Sequence, residues 1–452
     1  IRTSILDRMS GFLCREVTGR PDSAELLQRL AASNSFIIPL DHQNEWFRYH
    51  HLFAEFLKTR LEQEDPFIIK SLYGLSGGWF EEHGLPREAI EALIKAEDFE
   101  KAGAIFGAYF AVFANNAEFP AMVKWLASFP EAYIEDNVRM CSGYAWVLAM
   151  QGHMEAADDW NKRAVACFRR ISGQMEDVKE RNYLQAQVCI AWADNAIRHL
   201  DAAAAARCYS EASQLNFDDH ILSGELNSGQ PGMLKTVYGF YGRLNDLDRA
   251  VFPFVQHFPR IIGKASAYSK VILLETLYER NQLGNSYETL ALALEEAFAL
   301  GNPGAIVPCF ITLAKIRRAK GDLEGALNTV AEGKKKLQGR GRTFWEYLFD
   351  LFTARLHLDR HDLQSAGEWL DLRRVSVYDD LSSLREFEHL VFARYLTLSS
   401  RHDEAILLLN RLHSLAEKEK RLGSRIEILC LMAVVCSLQE NADRAVMMFN
   451  QA

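Results

Sequence analysis

The sequence predicts an all-α fold, a TPR-like α-α superhelix (solenoid) preceded by a small winged-helix module with one β-hairpin. Three observations predict it. A short phrase recurs late in the chain: Asp322-Leu323-Glu324-Gly325-Ala326, Asp362-Leu363-Gln364-Ser365-Ala366, His402-Asp403-Glu404-Ala405 and Ala442-Asp443-Arg444-Ala445. Its closing alanines stand 40, 39 and 40 residues apart, and self-similarity at such a period signals a helical solenoid. The two β-prone runs stand close together near the start, Phe36-Ile37-Ile38-Pro39-Leu40 and Trp46-Phe47-Arg48-Tyr49, with Asp41 to Glu45 between them as a polar turn. Proline is scarce at 11 of 452 residues, which suits long helices.

The elements follow in order. Residues 4–15 carry helical periodicity through Ile5, Met9, Phe12 and Leu13. Asp22 or Ser23 is placed to cap a second helix through Leu26, Leu27 and Leu30. After the hairpin a third helix runs through Leu52, Phe53, Phe56, Leu57 and Leu61. Helix, helix, hairpin, helix over residues 1–65 is the order of a winged-helix module, with Trp46, Phe47, Tyr49, Phe53 and Phe56 as its expected core. Residues 66–130 read as a helical arm, broken at Gly84-Leu85-Pro86 and Glu97-Asp98. Residues 131–452 read as the superhelix, with early hinges at Gly152 to Ala156, Leu200-Asp201-Ala202, Leu247 to Ala250 and Ser286 to Thr289. The small alanine after each turn lets helix B approach helix A, and a bulky residue there would cost about 1–3 kcal/mol of overpacking. Residues 215–232 interrupt the pattern and read as a long, mobile connection, a plain linker in preference to an interaction loop.

Bulk properties narrow the function. A formal charge of −9 argues against a nucleic-acid grip, and Lys334-Lys335-Lys336 with Arg340 and Arg342 reads as a solvated helix end. No apolar run reaches the ~18 residues of a membrane span, and no signal peptide is visible. The eight cysteines form no C-x-x-C pair and read as buried small hydrophobes in a reducing cytoplasm. No G-x-x-x-x-G-K-[ST] loop or H-E-x-x-H pair occurs, so neither a cofactor, a metal nor an enzyme activity is expected of this chain. The Asp residues of His361-Asp362 and His402-Asp403 are explained as helix caps. The chain opens on Ile1 and closes at Ala452 inside a helical run, so it is expected to be an interior stretch of a longer protein.

One stretch is more specific than the repeats. Trp46-Phe47-Arg48-Tyr49-His50-His51-Leu52-Phe53-Ala54-Glu55-Phe56-Leu57 resembles the W-x-x-[FY]-H-x-L-F-x-x-F-L signature of MalT-like large LuxR-type regulators, which belong to the STAND class of signalling ATPases. Thr3 to Met9, Leu26 to Leu30 with Asn34-Ser35-Phe36, and Trp79 with His83 to Ile90 resemble further stretches of that family. The resemblance covers residues 1–100 by motif and is architectural beyond them. It implies a longer protein that binds ATP or ADP in an N-terminal ATPase domain, reads DNA through a C-terminal helix-turn-helix, and self-associates when active. This chain would hold the autoinhibitory winged helix and arm and the sensor between them. It would contact an inducer, small molecule or regulatory protein, but neither membrane nor nucleic acid. The resemblance also implies that His50, or less so His51, reaches toward the bound nucleotide; a strand-to-helix cap is the plainer role for His50. On the expected A helices, Tyr144, Trp146, Trp192, Asn195, Tyr238, Tyr241 and Tyr268 are the candidate ligand contacts, since aromatic and polar groups suit a sugar or other metabolite. The same aromatics would serve equally as inter-helix core. The alternative function is a solenoid adaptor that holds a peptide or partner protein with no nucleotide link.

Overall fold

We describe the protein from a computed structural model, which covers residues 1–33, 36–41, 43–116, 118–199, 201–218, 227, 229–236, 240–257, 267–284, 286–337 and 343–452. Asn34, Ser35, Leu200, Tyr238, Arg340, Arg342 and residues 219–226 and 228 of the interruption at 215–232 therefore lie outside the described residues. The chain divides into two compact units, one formed by Ile1–Phe110 with Ala121–Ile134 and the other by Ala111–Pro120 with Glu135–Ala452.

The first unit opens with a 3-10 turn, Arg2–Ile5, rather than the helix expected over 4–15. Helix α1 follows at Gly11–Thr18, started by Ser10, whose side chain accepts the Leu13 N–H. Between them Met9 is extended. Its N–H donates to Phe47 O at 2.7 Å and its C=O accepts from Phe47 N–H at 2.8 Å. A strand pairing made 38 positions away overrides the local helical period. Helix α2 spans Ser23–Ala32, and Asp22 stands at its N-cap without a side-chain cap bond. Strands β1 (Ile37–Pro39) and β2 (Phe47–Tyr49) pair antiparallel as expected, Ile38 opposite Arg48. Helix α3 (His51–Glu64) completes the winged module.

The expected aromatic core of that module is partly corrected. Phe47 is buried, and Trp46, Tyr49 and Phe53 are half-buried. Phe56 is 58% exposed, because it lies one turn beyond Leu52 on the outward face of α3. The arm continues as α4 (Ile68–Glu82), α5 (Pro86–Lys95), α6 (Phe99–Asn115), α7 (Phe119–Leu126) and α8 (Glu131–Glu135).

The second unit is a series of helix pairs. The early ones are α9 (Val138–Met150) with α10 (Met154–Ile171) and α11 (Val178–Arg198) with α12 (Ala202–Gln214). Helix α13 (Leu244–Ala250) follows the interruption. The later A helices are α14 (Ala267–Glu279), α16 (Pro303–Ala319), α18 (Thr343–Asp359), α20 (Glu386–Leu398) and α22 (Leu422–Leu438). Their B partners are α15 (Ser286–Ala299), α17 (Leu323–Leu337), α19 (Leu363–Arg373), α21 (His402–Lys418) and α23 (Ala442–Gln451). Each later A helix packs on its own B helix and on the next A helix.

The repeat phrase has a backbone cause. Gly321, His361, Ser400 and Glu440 each adopt positive φ, one per repeat, as the left-handed residue that ends an A helix. The next residue starts helix B. Asp322 and Asp362 do so by accepting Gly325 and Ser365 N–H at 2.8 and 3.1 Å, and Asn441 accepts Arg444 N–H at 3.1 Å. Asp403 differs from the expected cap. It lies in the first turn of α21 and accepts from Gln439 Nε2. Ala326, Ala366 and Ala405 are fully buried, as close helix packing requires. In the early repeats the buried alanines are Ala157 and Ala205, so the register there differs from the expected hinges at Ala156 and Ala202.

Candidate functional site

The A-helix face of the later repeats carries charge where a packed array would carry apolar groups. Glu275 stands on α14 after Ile272-Leu273-Leu274, and Glu427 on α22 between Ile426 and Ile428. Lys315 and Arg318 lie on α16, Arg355 and Asp359 on α18, and Glu386 and Arg394 on α20. Burying such groups costs several kcal/mol each unless partners repay it.

The partners are supplied in register. Glu427 accepts from Arg394 Nη2 at 2.9 Å and pairs with Lys235 Nζ at 2.5 Å. Asp359 pairs with Arg318 at 3.0 Å and also with Arg355. Glu386 accepts the Ser424 hydroxyl at 2.7 Å and faces Arg421 Nε at 3.5 Å. Burial alone would push the Glu427 carboxyl up, but Lys235 and Arg394 reverse this and hold it at about 2. Burial would likewise lower the Lys235 ammonium, and the Glu427 carboxylate beside it holds it above its ordinary range. Glu275 is pushed up by burial, opposed by Lys315 and by the amides of Leu234 and Met233. Lys315 is pulled down by burial, yet its side chain keeps some exposed surface and so remains reachable by solvent.

Beside this charged floor lies an open cleft of about 580 Å³, lined by Tyr241–Asp246, Glu279, Gly423 and Ile426. Lys235 Nζ sits 4.5 Å from the Tyr241 ring centroid, within cation–π range. The Lys235 charge pulls the Tyr241 hydroxyl down, but burial and the Glu427 and Glu279 carboxylates outweigh it and push it up to about 12. The phenol therefore stays protonated, an amphipathic wall for a ligand.

Of the seven candidate ligand residues, Tyr241 alone among those described lines this cleft. Tyr238 lies outside the described residues. Tyr268 is 1% exposed and bonds Asn302 Oδ1, the residue that caps α16, so it is inter-helix core. Tyr144 packs against Trp160 with ring centroids 5.0 Å apart, and Trp146 meets Phe119 edge-on at 5.6 Å. Asn195 donates to Asp158, which also pairs with His199. Trp192 is half-buried on α11. Tyr144 and Trp146 thus serve to hold helices together. Glu275, Lys315, Glu427 and Lys235 were not singled out from sequence. The available signal was an acidic or basic residue embedded in an apolar A-helix run.

In the first unit, His50 occupies the N-cap of α3. Its N–H donates to Phe36 O at 2.7 Å, and its C=O accepts from Phe53 and Ala54 N–H at 2.9 Å. Its half-buried ring lies 4.4 Å from that of His51, and Phe36, Leu52 and Phe56 around it are exposed. Among the described residues no three His, Cys, Asp or Glu side chains are grouped as metal ligands, and no helix is long and apolar enough to cross a membrane.

Comparison with known proteins now decides the family. Residues 1–68 match the family model of the MalT winged helix domain, and residues 257–452 match that of the MalT-like TPR region. The chain belongs to the MalT-like family of transcriptional regulators. It is 23% identical over 488 aligned residues to the HTH-type transcriptional regulator MalT of Yersinia pestis (strain Pestoides F), covering 93% of this chain and 53% of that protein. It is 24% identical over 249 residues to the MalT of Yersinia enterocolitica, covering 52% of this chain and 27% of the relative. At best, then, the chain spans about half the length of these curated MalT relatives. Among solved structures it is similar to a Signal Transduction ATPase with Numerous Domains (STAND) protein with a tetratricopeptide repeat sensor from Pyrococcus horikoshii. That similarity has a TM-score of 0.41 and 13% identity, covering 99% of this chain and 60% of that one. The two family models bear out the expected family, winged helix and TPR-like fold, and the MalT-like TPR match over residues 257–452 takes in the charged A helices.

Proposed function

We propose that this chain is the signal-sensing and autoinhibitory segment of a MalT-like transcriptional activator, and that the cleft beside Tyr241 receives the signal. The buried charge of the later repeats carries this reading. Glu275, Lys315 and Glu427 stand on inner helices where apolar residues of similar volume would be as stable or more so, so their charge supports a task beyond packing. A polar, partly solvated floor beside an aromatic wall suits a small hydroxylated metabolite. The chain itself performs no reaction in this reading, and the protein works in the cytoplasm.

Signal would act by population shift. In the resting state the winged helix and arm hold an N-terminal ATPase domain with ADP. His50 supports this part, because a histidine among the exposed Phe36, Leu52 and Phe56 offers both an N–H for a phosphate and an apolar surface for a neighbouring domain. Inducer binding favours the open state, in which ATP replaces ADP, the protein self-associates and its helix-turn-helix domains engage DNA. Only a difference in inducer affinity between the two states can drive that change.

Two outcomes test the reading. In a thermal-shift screen of this chain against sugars and related metabolites, a true ligand at 100 times its Kd adds about 2.7 kcal/mol of stability. Tyr241→Ala should weaken such a hit at least about tenfold, or about 1.4 kcal/mol. A hit indifferent to Tyr241 would move the site elsewhere. Separately, the full-length regulator with His50→Ala should lose purified-in ADP faster than the unmodified protein. Unchanged retention would leave His50 as a helix cap only.

A further inference from the structure

A stretch of the chain itself lies across the charged A-helix face. Residues 229–236 include the end of the interruption in the repeat pattern, yet they are well buried: Gln230, Met233, Leu234 and Thr236 are each 0–2% exposed. Their partners come from repeats far along the sequence. Gln230 Nε2 donates to Ser383 O and Leu384 O at 3.2 and 2.8 Å, before α20. Met233 and Leu234 N–H both donate to the Glu275 carboxylate on α14, at 2.8 and 2.9 Å. Arg421, just before α22, donates to Lys235 O and Thr236 O at 3.0 and 3.3 Å. The side chain of Lys235 enters a socket made by Glu427 and Phe387 from the repeats and by Tyr241 from the returning chain. Gly232 makes the approach possible, since a Cβ there would stand 3.0 Å from both Glu275 oxygens.

This is how a groove holds a peptide. Backbone amides are satisfied by a fixed carboxylate, one long cationic side chain is read by an acidic and aromatic socket, and neighbouring apolar residues are buried. Hydrogen bonds of this kind give affinity, and the socket gives specificity.

We propose that the A-helix face is a peptide-binding groove selective for a lysine preceded by small and apolar residues, filled in cis by residues 229–236. An external peptide of that chemistry competes with the strap, which makes the strap a built-in occupant. The inference rests on reading this face as a ligand site, but not on a metabolite inducer. Covalent tethering places the strap at an effective concentration in the mM range, so an external peptide binds the unmodified chain only weakly.

The test uses the chain with Lys235→Ala and Gly232→Ala together, and Lys235→Ala alone if the double variant does not fold. Hydrogen–deuterium exchange is expected to show the Met233 and Leu234 amides exchanging at least about tenfold faster, with α14, α16, α20 and α22 protected as before. The fluorescein-labelled peptide GQPGMLKT should then bind the variant at least about tenfold more tightly than its lysine-to-alanine counterpart, and more tightly than it binds the unmodified chain. Loss of protection throughout the repeats in both variants would make the segment part of the core and overturn the proposal. So would a strap that stays protected, or a released strap with no peptide bound or no preference for lysine. A metabolite screen that finds no ligand while the peptide binds counts against the metabolite reading alone.

Discussion

Glu427→Ala is expected to destabilise the repeat unit by about 3 kcal/mol, the lower end for a buried pair, because it leaves two mostly buried cations, Lys235 and Arg394, without their shared counter-charge. Urea unfolding followed by circular dichroism measures this at neutral pH. The pH dependence is a sharper readout. Glu427 in the folded chain is held at about 2, against an ordinary value of 4.5. A carboxyl with a depressed folded value contributes stability that is fully present above its unfolded value and is lost as pH falls through the folded one. The unmodified chain should therefore lose this contribution progressively between pH 4.5 and about 2, and the Glu427→Ala difference should shrink over that range. Glu427→Gln keeps an acceptor and should cost less than alanine. A difference that stays constant with pH would mean that packing, not charge, accounts for the loss.

Phe47→Ala is the second large effect, and it belongs to the first unit. Phe47 is 2% exposed, and its backbone joins β2 both to β1 and to Met9. Truncating a buried phenylalanine costs about 3–5 kcal/mol through lost transfer energy and the cavity left behind. A module of this size has little stability to spare. Exchange protection around Met9, α1 and the hairpin should fall, with the helices of the later repeats unchanged. Equal loss in both units would contradict their separation as compact bodies.

The helix order, the hairpin, the repeat turns and the buried alanines were legible because each rests on local signals. Asp322, Gly321 and Ala326 lie within six residues of one another, and their roles as cap, left-handed residue and small contact follow from backbone rules. Met9 was misread because its extended shape is imposed by Phe47, beyond any helical window. Phe56 was misassigned to the core because a period shows that a face is apolar, not that something covers it. The candidate site was hardest. Lys235 meets Glu427 across 192 positions, and Gln230 meets Ser383 across 153. Nothing in the spacing of either residue announces its partner. Residue type picked out Tyr241, which lines the cleft, and equally Tyr268, whose hydroxyl is taken by Asn302 inside the core. A charged residue within an apolar A-helix run, as at Glu275 and Glu427, was the better guide.

In the proposed function the later-repeat A-helix face, rather than the aromatic early repeats, receives the signal. Hydrogen–deuterium exchange of this chain with and without the first sugar or other metabolite that raises its melting temperature tests it most directly. New protection is expected only at residues 229–246 and in the segment around Gly423–Glu427. Protection confined to α9–α12, with 229–246 unchanged, would contradict it.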